Sequence, residues 1–270
     1  MITGSGGVKE NLVKPFGVAL DEANNICLTD TSTCMVSYFN RVEKSFTRWP
    51  GTGAVAFVQP VAVAKAKGIF YVADTGLKKI LAFDERGRQK LEITEGLERP
   101  SGLVVHGDKL FVADALCHAI LIFGLDGKLM ARFGGRGSAP GDFNCPTHIT
   151  TDAQGRLYVT DAMNSRVQVF TQAGRLLSVI GGAGDTPGHF GRPKGVAVDA
   201  FGHVYVADAL FDNIQVFDLS GRLLMVWGET GEDVGEFWLP EGLAIGRGNE
   251  IFVADSYNQR VQVFKYVGAP

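Results

Sequence analysis

The sequence predicts an all-β protein, a six-bladed β-propeller made of four-stranded antiparallel blades. Three observations carry this prediction. One repeat occurs six times, an aspartate closes the second apolar run of every copy, and each copy holds four short strand-like runs. Four strands per copy at a period of about 40–45 residues are typical of propeller blades.

The repeat is defined by two sets of anchor residues. The copies begin at Pro15, Pro60, Pro100, Pro146, Pro193 and Pro240. The aspartates are Asp30, Asp74, Asp114, Asp161, Asp208 and Asp255, spaced by 44, 40, 47, 47 and 47 residues. Two sets of anchors in one register indicate that the whole chain, residues 1–270, forms a single repeat domain.

The strands are clearest in the copy that starts at Pro193. Its four runs are GVAVD, HVYVAD, NIQVFD and RLLMVWG, which are rich in β-branched and aromatic residues and are separated by turn residues. No window shows the apolar stripe of period 3.6 that a helix needs. The predicted blades span residues 15–51, 60–96, 100–135, 146–182, 193–228, and 240–267 together with 2–7.

The two ends of the chain are expected to close the ring. The last copy has three strand-like runs and then ends, so residues 2–4 are predicted to supply its fourth, outer strand. Pairing of the termini would remove an open sheet edge, which otherwise invites aggregation.

Composition limits the classes of partner. The net charge of −3 disfavours a nucleic-acid ligand, since proteins that hold a polyphosphate chain carry a basic surface. No apolar run reaches the ~20 residues that cross a bilayer, and the segment MITGSGGVKE does not have the pattern of a signal peptide. We expect a soluble monomer, cytoplasmic if the chain is complete and extracytoplasmic if a targeting segment was removed.

The candidate ligand site is the mouth of the central channel. In a propeller, the loops between second and third strands share one end of the ring with the linkers between blades, so the residue after each proline should line that mouth. Channel mouths are concave and are default places for ligands. The candidate ligand-binding residues are Phe16, Ser101, Thr147, His148, Lys194 and Glu241. The alternative is a merely hydrated channel in which Lys194 and Glu241 pair across adjacent blades.

The six aspartates are interpreted as turn caps and not as an acidic site, because one per blade at a strand end suits a carboxylate that accepts backbone N–H bonds. Arg166 and Arg260 are placed to pair with two of them. The Gly-rich linkers lack the helix that a phosphate-binding loop needs, and their aromatic residues Phe143, Phe190 and Phe237 are predicted to plug the space between blades.

Cysteine and histidine form the one irregular cluster. Cys117 and His118 fall in a loop of the third blade, and Cys145 and His148 in the linker into the fourth. These four residues are candidate ligands of a transition metal such as zinc, and calcium is the other cofactor considered for the protein. The alternatives are a disulfide between Cys117 and Cys145, or side chains without chemistry and no cofactor at all. Cys27 lies within a strand and is predicted to be core.

The repeat resembles the NHL repeat. The likeness lies in Pro-x-Gly-φ-Ala-φ-Asp, then Tyr-Val-Ala-Asp, then Asn-x-Arg-Val-Gln-Val-Phe, and it is close in copies four to six and loose in copies one and two. The resemblance implies a six-bladed ring with a recognition role at one end. Some six-bladed relatives are enzymes, namely calcium-dependent lactonases and a zinc-dependent amidating lyase. Here the mouth offers one carboxylate, Glu241, and one histidine, His148, and Ser101 is not in a G-x-S-x-G elbow.

The sequence is therefore compatible with three functions. The first is a binding scaffold for a protein or small-molecule ligand on the loop face. The second is a metal-dependent hydrolase or lyase, lactonase-like or amidating-lyase-like, that would use Glu241, His148 and Lys194. The third is RNA binding, for which the basic residues are Lys14, Arg99, Arg136, Arg192 and Lys194. The acidic residues of the last linker oppose it: Glu229, Glu232, Asp233 and Glu236.

Overall fold

The fold is a ring of six antiparallel sheets, each with its strands in sequence order. The computed structural model of the protein describes residues 12–49 and 56–265. Five blades have four strands, and the sixth has three within these residues. The prediction of a six-bladed propeller is confirmed. The proposed closing strand at residues 2–4 lies outside the described residues.

The strands, in chain order and blade by blade, are as follows. Blade 1 has β1 (Pro15–Leu20), β2 (Ile26–Asp30), β3 (Met35–Asn40) and β4 (Ser45–Trp49); blade 2 has β5 (Pro60–Ala66), β6 (Ile69–Asp74), β7 (Lys79–Asp84) and β8 (Gln89–Ile93). Blade 3 has β9 (Pro100–His106), β10 (Lys109–Asp114), β11 (Ala119–Gly124) and β12 (Leu129–Phe133); blade 4 has β13 (Pro146–Thr151), β14 (Leu157–Asp161), β15 (Arg166–Phe170) and β16 (Leu176–Ile180). Blade 5 has β17 (Pro193–Val198), β18 (Val204–Asp208), β19 (Asn213–Phe217) and β20 (Leu223–Trp227), and blade 6 has β21 (Pro240–Ile245), β22 (Glu250–Asp255) and β23 (Arg260–Lys265).

Helical structure is almost absent. The part of the chain that the structure describes contains one three-residue 3-10 turn, Ala162–Asn164, and no helix there is long and apolar enough to cross a membrane.

Burial follows the position of a strand within its blade. All five residues of β18, VYVAD, are buried, because both faces of a middle strand pack against the neighbouring blades. The outer strand β16, LLSVI, alternates between half-buried and exposed residues until Ile180. The sequence accordingly shows continuous apolar runs in the middle of each blade and alternation at its outer edge.

The hydrophobic core lies between the blades. Each of six clusters joins two neighbours, and the cluster of Val18, Ile26 and Leu28 with Phe252 and Val261 joins blade 6 to blade 1. The described residues therefore close the ring through side-chain packing of β1 and β2 of blade 1 against β22 and β23 of blade 6.

The linkers between the last four blades are pinned by aromatic plugs. Phe143, Phe190 and Phe237 are each fully buried, and each forms a parallel bridge to a residue earlier in its own linker. Phe190 also lies so close to Gly181, which has a φ of +75°, that a Cβ there would sit 2.2 Å from the Phe190 ring. The predicted plugs are confirmed, and a glycine before each plug makes room for its ring.

Candidate functional site

The six aspartates shape the end of the ring that we call the loop face, which carries the loops that follow these aspartates and the linkers that lead into the six prolines. All six are buried. Asp30 is representative: its carboxylate accepts N–H bonds from Val13 at 2.8 Å and Lys14 at 3.0 Å in the linker, and from Thr33 at 2.9 Å in the loop. The predicted capping role is confirmed. The carboxylate also binds the linker that leads into its own blade, and these bonds fix where the inner strand of that blade starts.

Two arginines strengthen this capping in blades 4 and 6. Arg166 Nε donates to Asp161 at 2.8 Å and Arg260 Nε donates to Asp255 at 2.7 Å, as the sequence predicts. The rest of the Arg166 guanidinium donates to linker carbonyls, including that of Ser138 at 2.9 Å. The aspartates are thus used structurally.

The residues after the prolines meet at one cavity. It has a volume of about 240 Å³ and draws residues from all six blades. We call it the mouth cavity. Its lining includes all six predicted ligand-binding residues: Phe16, Ser101, Thr147, His148, Lys194 and Glu241.

Close approach of the inner strands explains why the second residue after the proline is small in five copies. A Cβ on Gly195 would lie 2.5 Å from the carbonyl oxygen of Glu241, and one on Gly242 would lie 2.4 Å from that of Phe16. Real Cβ atoms do not come so near a backbone oxygen. The fourth blade departs from this pattern, because His148 occupies the equivalent position.

His148 and Phe16 stack across the channel from opposite blades. Their ring centroids are 6.0 Å apart with an interplanar angle of 17°, and Lys194 Nζ lies 5.9 Å from the Phe16 ring centroid. His148 lines both the mouth cavity and the deeper channel, a further space of about 240 Å³. The pair therefore forms the boundary between the two spaces. His148 belongs to strand β13, so its assignment to the linker was wrong by a few residues.

Lys194 and Glu241 form an ion pair across blades 5 and 6. Lys194 Nζ donates to Glu241 Oε1 at 3.1 Å and lies 3.0 Å from Oε2. Burial raises the pKa of the Glu241 carboxyl, and the neighbouring Lys194 ammonium partly offsets that rise. The carboxylate is therefore held by a cation that belongs to the same cavity.

The two ring nitrogens of His148 are buried and have no hydrogen-bond partner among the described residues. Neither Nδ1 nor Nε2 makes a hydrogen bond to any described residue, and the same is true of Thr147 Oγ1, although both residues keep intermediate exposure overall. Burial, reinforced by the Lys194 charge, lowers the pKa of His148 to about 3. His148 is therefore a neutral imidazole at pH 7, with one N–H donor and one acceptor nitrogen.

This lowered pKa predicts a dependence of stability on pH. The unfolded chain protonates His148 below pH 6.5, whereas the folded protein resists protonation until about pH 3. The stabilisation is thus complete above pH 6.5 and is lost as the pH falls, by at most about 1.4 kcal/mol per pH unit. Between pH 6.5 and 4.5, we expect the free energy of urea unfolding of wild type to fall by about 2 kcal/mol more than that of His148→Gln.

The groups that face His148 define the control. The raised pKa of Glu241 acts in the opposite sense, because the folded protein then takes up a proton more readily than the unfolded chain. The difference between wild type and His148→Gln isolates the imidazole, and parallel stability curves for the two proteins would contradict the assignment.

The four metal candidates do not converge. His118 Nδ1 accepts the Cys145 N–H at 3.1 Å, while Cys117 Sγ lies 3.3 Å from the Gly96 carbonyl oxygen and His148 faces the channel. Cys117 and Cys145 are both free, so the disulfide alternative is not observed. Over residues 12–49 and 56–265, no group of three or more His, Cys, Asp or Glu side chains is arranged to hold a metal ion. Cys27 is buried in the core, as predicted.

The polar character of Ser101, one of the predicted ligand-binding residues, is partly used within the ring. Ser101 Oγ lies 2.9 Å from the Ala113 carbonyl oxygen and 2.7 Å from that of Pro146 in the next blade. The Ser101 hydroxyl therefore links blades 3 and 4 as a donor, and its oxygen can still accept a hydrogen bond.

A second ring of residues at the mouth was not among the predicted ligand-binding residues. Lys14, Arg99 and Arg192 each precede a repeat proline, and their side chains line the mouth cavity together with Lys194. None of the three is within 4 Å of an acidic side chain in the described part of the chain. Among the described residues that line the cavity, Glu241 carries the single carboxylate. The sequence carried the necessary pattern, since these three residues occupy the same position of the repeat, and the backbone N–H of each donates to the capping aspartate of its blade.

Comparison with known proteins agrees with this architecture. A family model described as NHL repeat matches residues 237–264, and one described as 6-bladed beta-propeller matches residues 150–221.

Solved structures show the same fold at low sequence identity. One is a catalytically inactive histidine-to-alanine variant of virginiamycin B lyase from Staphylococcus aureus with Quinupristin, at 15% identity and TM-score 0.67 over 96% of this chain and 87% of that one. A nidogen/laminin complex matches at 20% identity and TM-score 0.65, over 79% and 80% of the two chains. An auxiliary nutrient binding protein from Bacteroides thetaiotaomicron matches at 12% identity and TM-score 0.73, over 94% and 69%. At these identities the likeness establishes the fold alone.

Proposed function

Because the chain is an NHL-repeat six-bladed β-propeller, we propose that it is a recognition module that binds a protein or small-molecule ligand on the loop face, at the mouth of the central channel. One observation carries the proposal. Residues of different chemistry from all six blades converge on a single cavity, and one of them, His148, has two buried ring nitrogens without a hydrogen-bond partner among the described residues. A buried polar atom without a partner costs about 1–3 kcal/mol, and a ligand that satisfies it recovers that cost.

The remaining chemistry of the cavity favours recognition over catalysis. Glu241 is tied to Lys194, and the Ser101 hydroxyl lies against backbone carbonyls. These contacts hold the lining residues in place, as a preorganised binding site requires. The similar folds of a nidogen in complex with laminin and of a nutrient binding protein are consistent with this use of the ring.

The test is capture followed by direct titration. The protein and small-molecule fractions of a cell extract are passed over immobilised protein, retained species are identified, and each purified species is titrated by calorimetry. We expect the double variant Phe16→Ala/His148→Ala to weaken binding at least tenfold.

A matched control lies on the opposite end of the ring. Lys67→Gln/Lys128→Gln alters the turns around a separate cavity there and should bind like wild type. If every retained species binds the mouth variant as well as wild type, the proposed site is wrong.

A second candidate is a metal-dependent hydrolase or lyase, lactonase-like or amidating-lyase-like, at the same mouth. The neutral His148 imidazole is the observation in its favour, since a histidine with a free nitrogen can serve as a base or a metal ligand. A histidine substitution also inactivates the structurally similar virginiamycin B lyase. Elemental analysis of protein purified without chelator, with a thiol count, separates the two functions: stoichiometric zinc, calcium or iron would favour the enzyme.

A further inference from the structure

The mouth cavity is electropositive at its centre. Of the described residues that line it, four are cationic and one is a carboxylate, and Lys194 already balances that carboxylate. Lys14, Arg99 and Arg192 remain as three positive charges that no acidic side chain of the described residues neutralises at contact distance. A ligand group that enters here is favoured if it is an anion that accepts hydrogen bonds.

An exposed apolar band surrounds this centre on four successive blades. The second residue after the capping aspartate is a large apolar or aromatic side chain in blades 3 to 6, whereas blades 1 and 2 carry Ser32 and Gly76 there. We call the four residues the apolar arc: Leu116 (52% exposed), Met163 (68%), Leu210 (60%) and Tyr257 (48%). They occupy equivalent loop positions, so each of these four successive blades presents one of them on the loop face.

The arc is continuous with the basic centre. Trp238, itself 44% exposed, packs against Tyr257 with ring centroids 5.7 Å apart. Lys14 Nζ lies 5.2 Å from the Tyr257 ring centroid, so one cation of the mouth touches the arc directly. A cluster of exposed apolar side chains around a charged pocket is typical of a protein-interaction surface.

The rim of the loop face is acidic on one side, which favours short anionic partners over long polyanions. The linker into blade 6 carries Glu229, Glu232, Asp233 and Glu236. A polyanion laid across the loop face would meet these carboxylates, whereas a short segment with one or two acidic groups reaches the centre without crossing them.

We propose that the occupant of the loop face is an acidic, apolar peptide segment of a partner protein. Its Asp, Glu or terminal carboxylate enters the mouth cavity between Lys14, Arg99 and Arg192, and its Leu, Phe or Trp side chains pack on the apolar arc. This inference rests on the proposed recognition function and specifies its ligand.

The test uses a displayed library of random 12-residue peptides selected on the immobilised full chain. We expect enriched peptides to combine Asp or Glu with Leu, Phe, Met or Trp. Fluorescence anisotropy with labelled copies of the best peptide should show affinity that falls as salt rises, and a copy with Asn and Gln in place of Asp and Glu should bind at least tenfold more weakly.

Two protein variants separate the two halves of the surface. Lys14→Gln/Arg99→Gln/Arg192→Gln removes the central charge, and Leu116→Ser/Met163→Ser/Leu210→Ser removes most of the arc. Each variant should bind the peptide at least tenfold more weakly than wild type, whereas Lys67→Gln/Lys128→Gln should leave the affinity unchanged. All substituted positions of the first two variants lie at or near the surface, and urea unfolding of each variant confirms that it is folded.

Three results would overturn the inference. The first is unchanged affinity in either the charge variant or the arc variant. The second is tighter binding of single-stranded oligouridine than of the best peptide. The third is enrichment of neutral or basic peptides; if the Phe16→Ala/His148→Ala protein then fails to bind them, the recognition function stands and only the ligand class is wrong.

Discussion

Replacement of Asp161 by alanine is expected to lower the free energy of unfolding by about 3–5 kcal/mol, because it leaves a buried arginine without its counter-ion. The Asp161 carboxylate accepts bonds from the Asn144 N–H at 2.7 Å, Asn164 Nδ2 at 2.8 Å and Arg166 Nε at 2.8 Å. Arg166 itself is only 9% exposed. Urea unfolding followed by circular dichroism gives the change.

The equivalent aspartate of blade 5 supplies a matched control. Asp208 is as deeply buried and accepts backbone N–H bonds from Gly191 at 2.7 Å and Arg192 at 2.9 Å, but Asn213 takes the place of the arginine in its blade. Asp208→Ala therefore removes capping hydrogen bonds without leaving a buried charge unpaired. It should lower the free energy of unfolding by less than Asp161→Ala does.

A double-mutant cycle checks the cause. If the stranded guanidinium dominates, Asp161→Ala/Arg166→Met should be less destabilised than the sum of the two single variants. Additive effects, or an Asp208→Ala cost equal to that of Asp161→Ala, would show that the ion pair contributes little beyond the capping bonds.

Replacement of Phe190 by alanine is expected to destabilise the protein by a similar amount, about 3–5 kcal/mol, because it opens a cavity between blades 4 and 5. Phe190 is fully buried, and its ring packs 5.5 Å from that of Phe217, centroid to centroid. The Gly181 backbone lies against the ring and cannot fill the space without moving the linker. Thermal unfolding by calorimetry measures the loss.

Phe201 provides the comparison for this prediction. It lies in a turn of blade 5 and is 66% exposed, so Phe201→Ala should change stability by less than about 0.5 kcal/mol. Phe190→Leu should fall between wild type and Phe190→Ala, since it keeps most of the apolar volume. Equal stability of Phe190→Ala and Phe201→Ala would mean that the linker does not depend on its aromatic plug.

Part of the site follows from the repeat itself. The residues after each proline could be assigned to the mouth because the repeat puts every copy in one register, and the structure brings Phe16, His148, Lys194 and Glu241 to one cavity. The Cys117–Cys145 disulfide, one of the alternatives that the sequence left open, is not formed, because adjacency of loops does not specify the direction of the side chains.

The sequence by itself determined the number of blades, the order of strands and the structural role of the six aspartates. These features are local, or are repeated six times, so that strand periodicity and turn residues specify each copy independently. Only the tertiary structure decided which side chains meet: Phe16 and His148 stack from opposite blades, and Lys14, Arg99 and Arg192 share one cavity with a single carboxylate. The physical reason is ring closure, which brings together residues far apart in the chain at distances that the curvature and packing of all six blades set together.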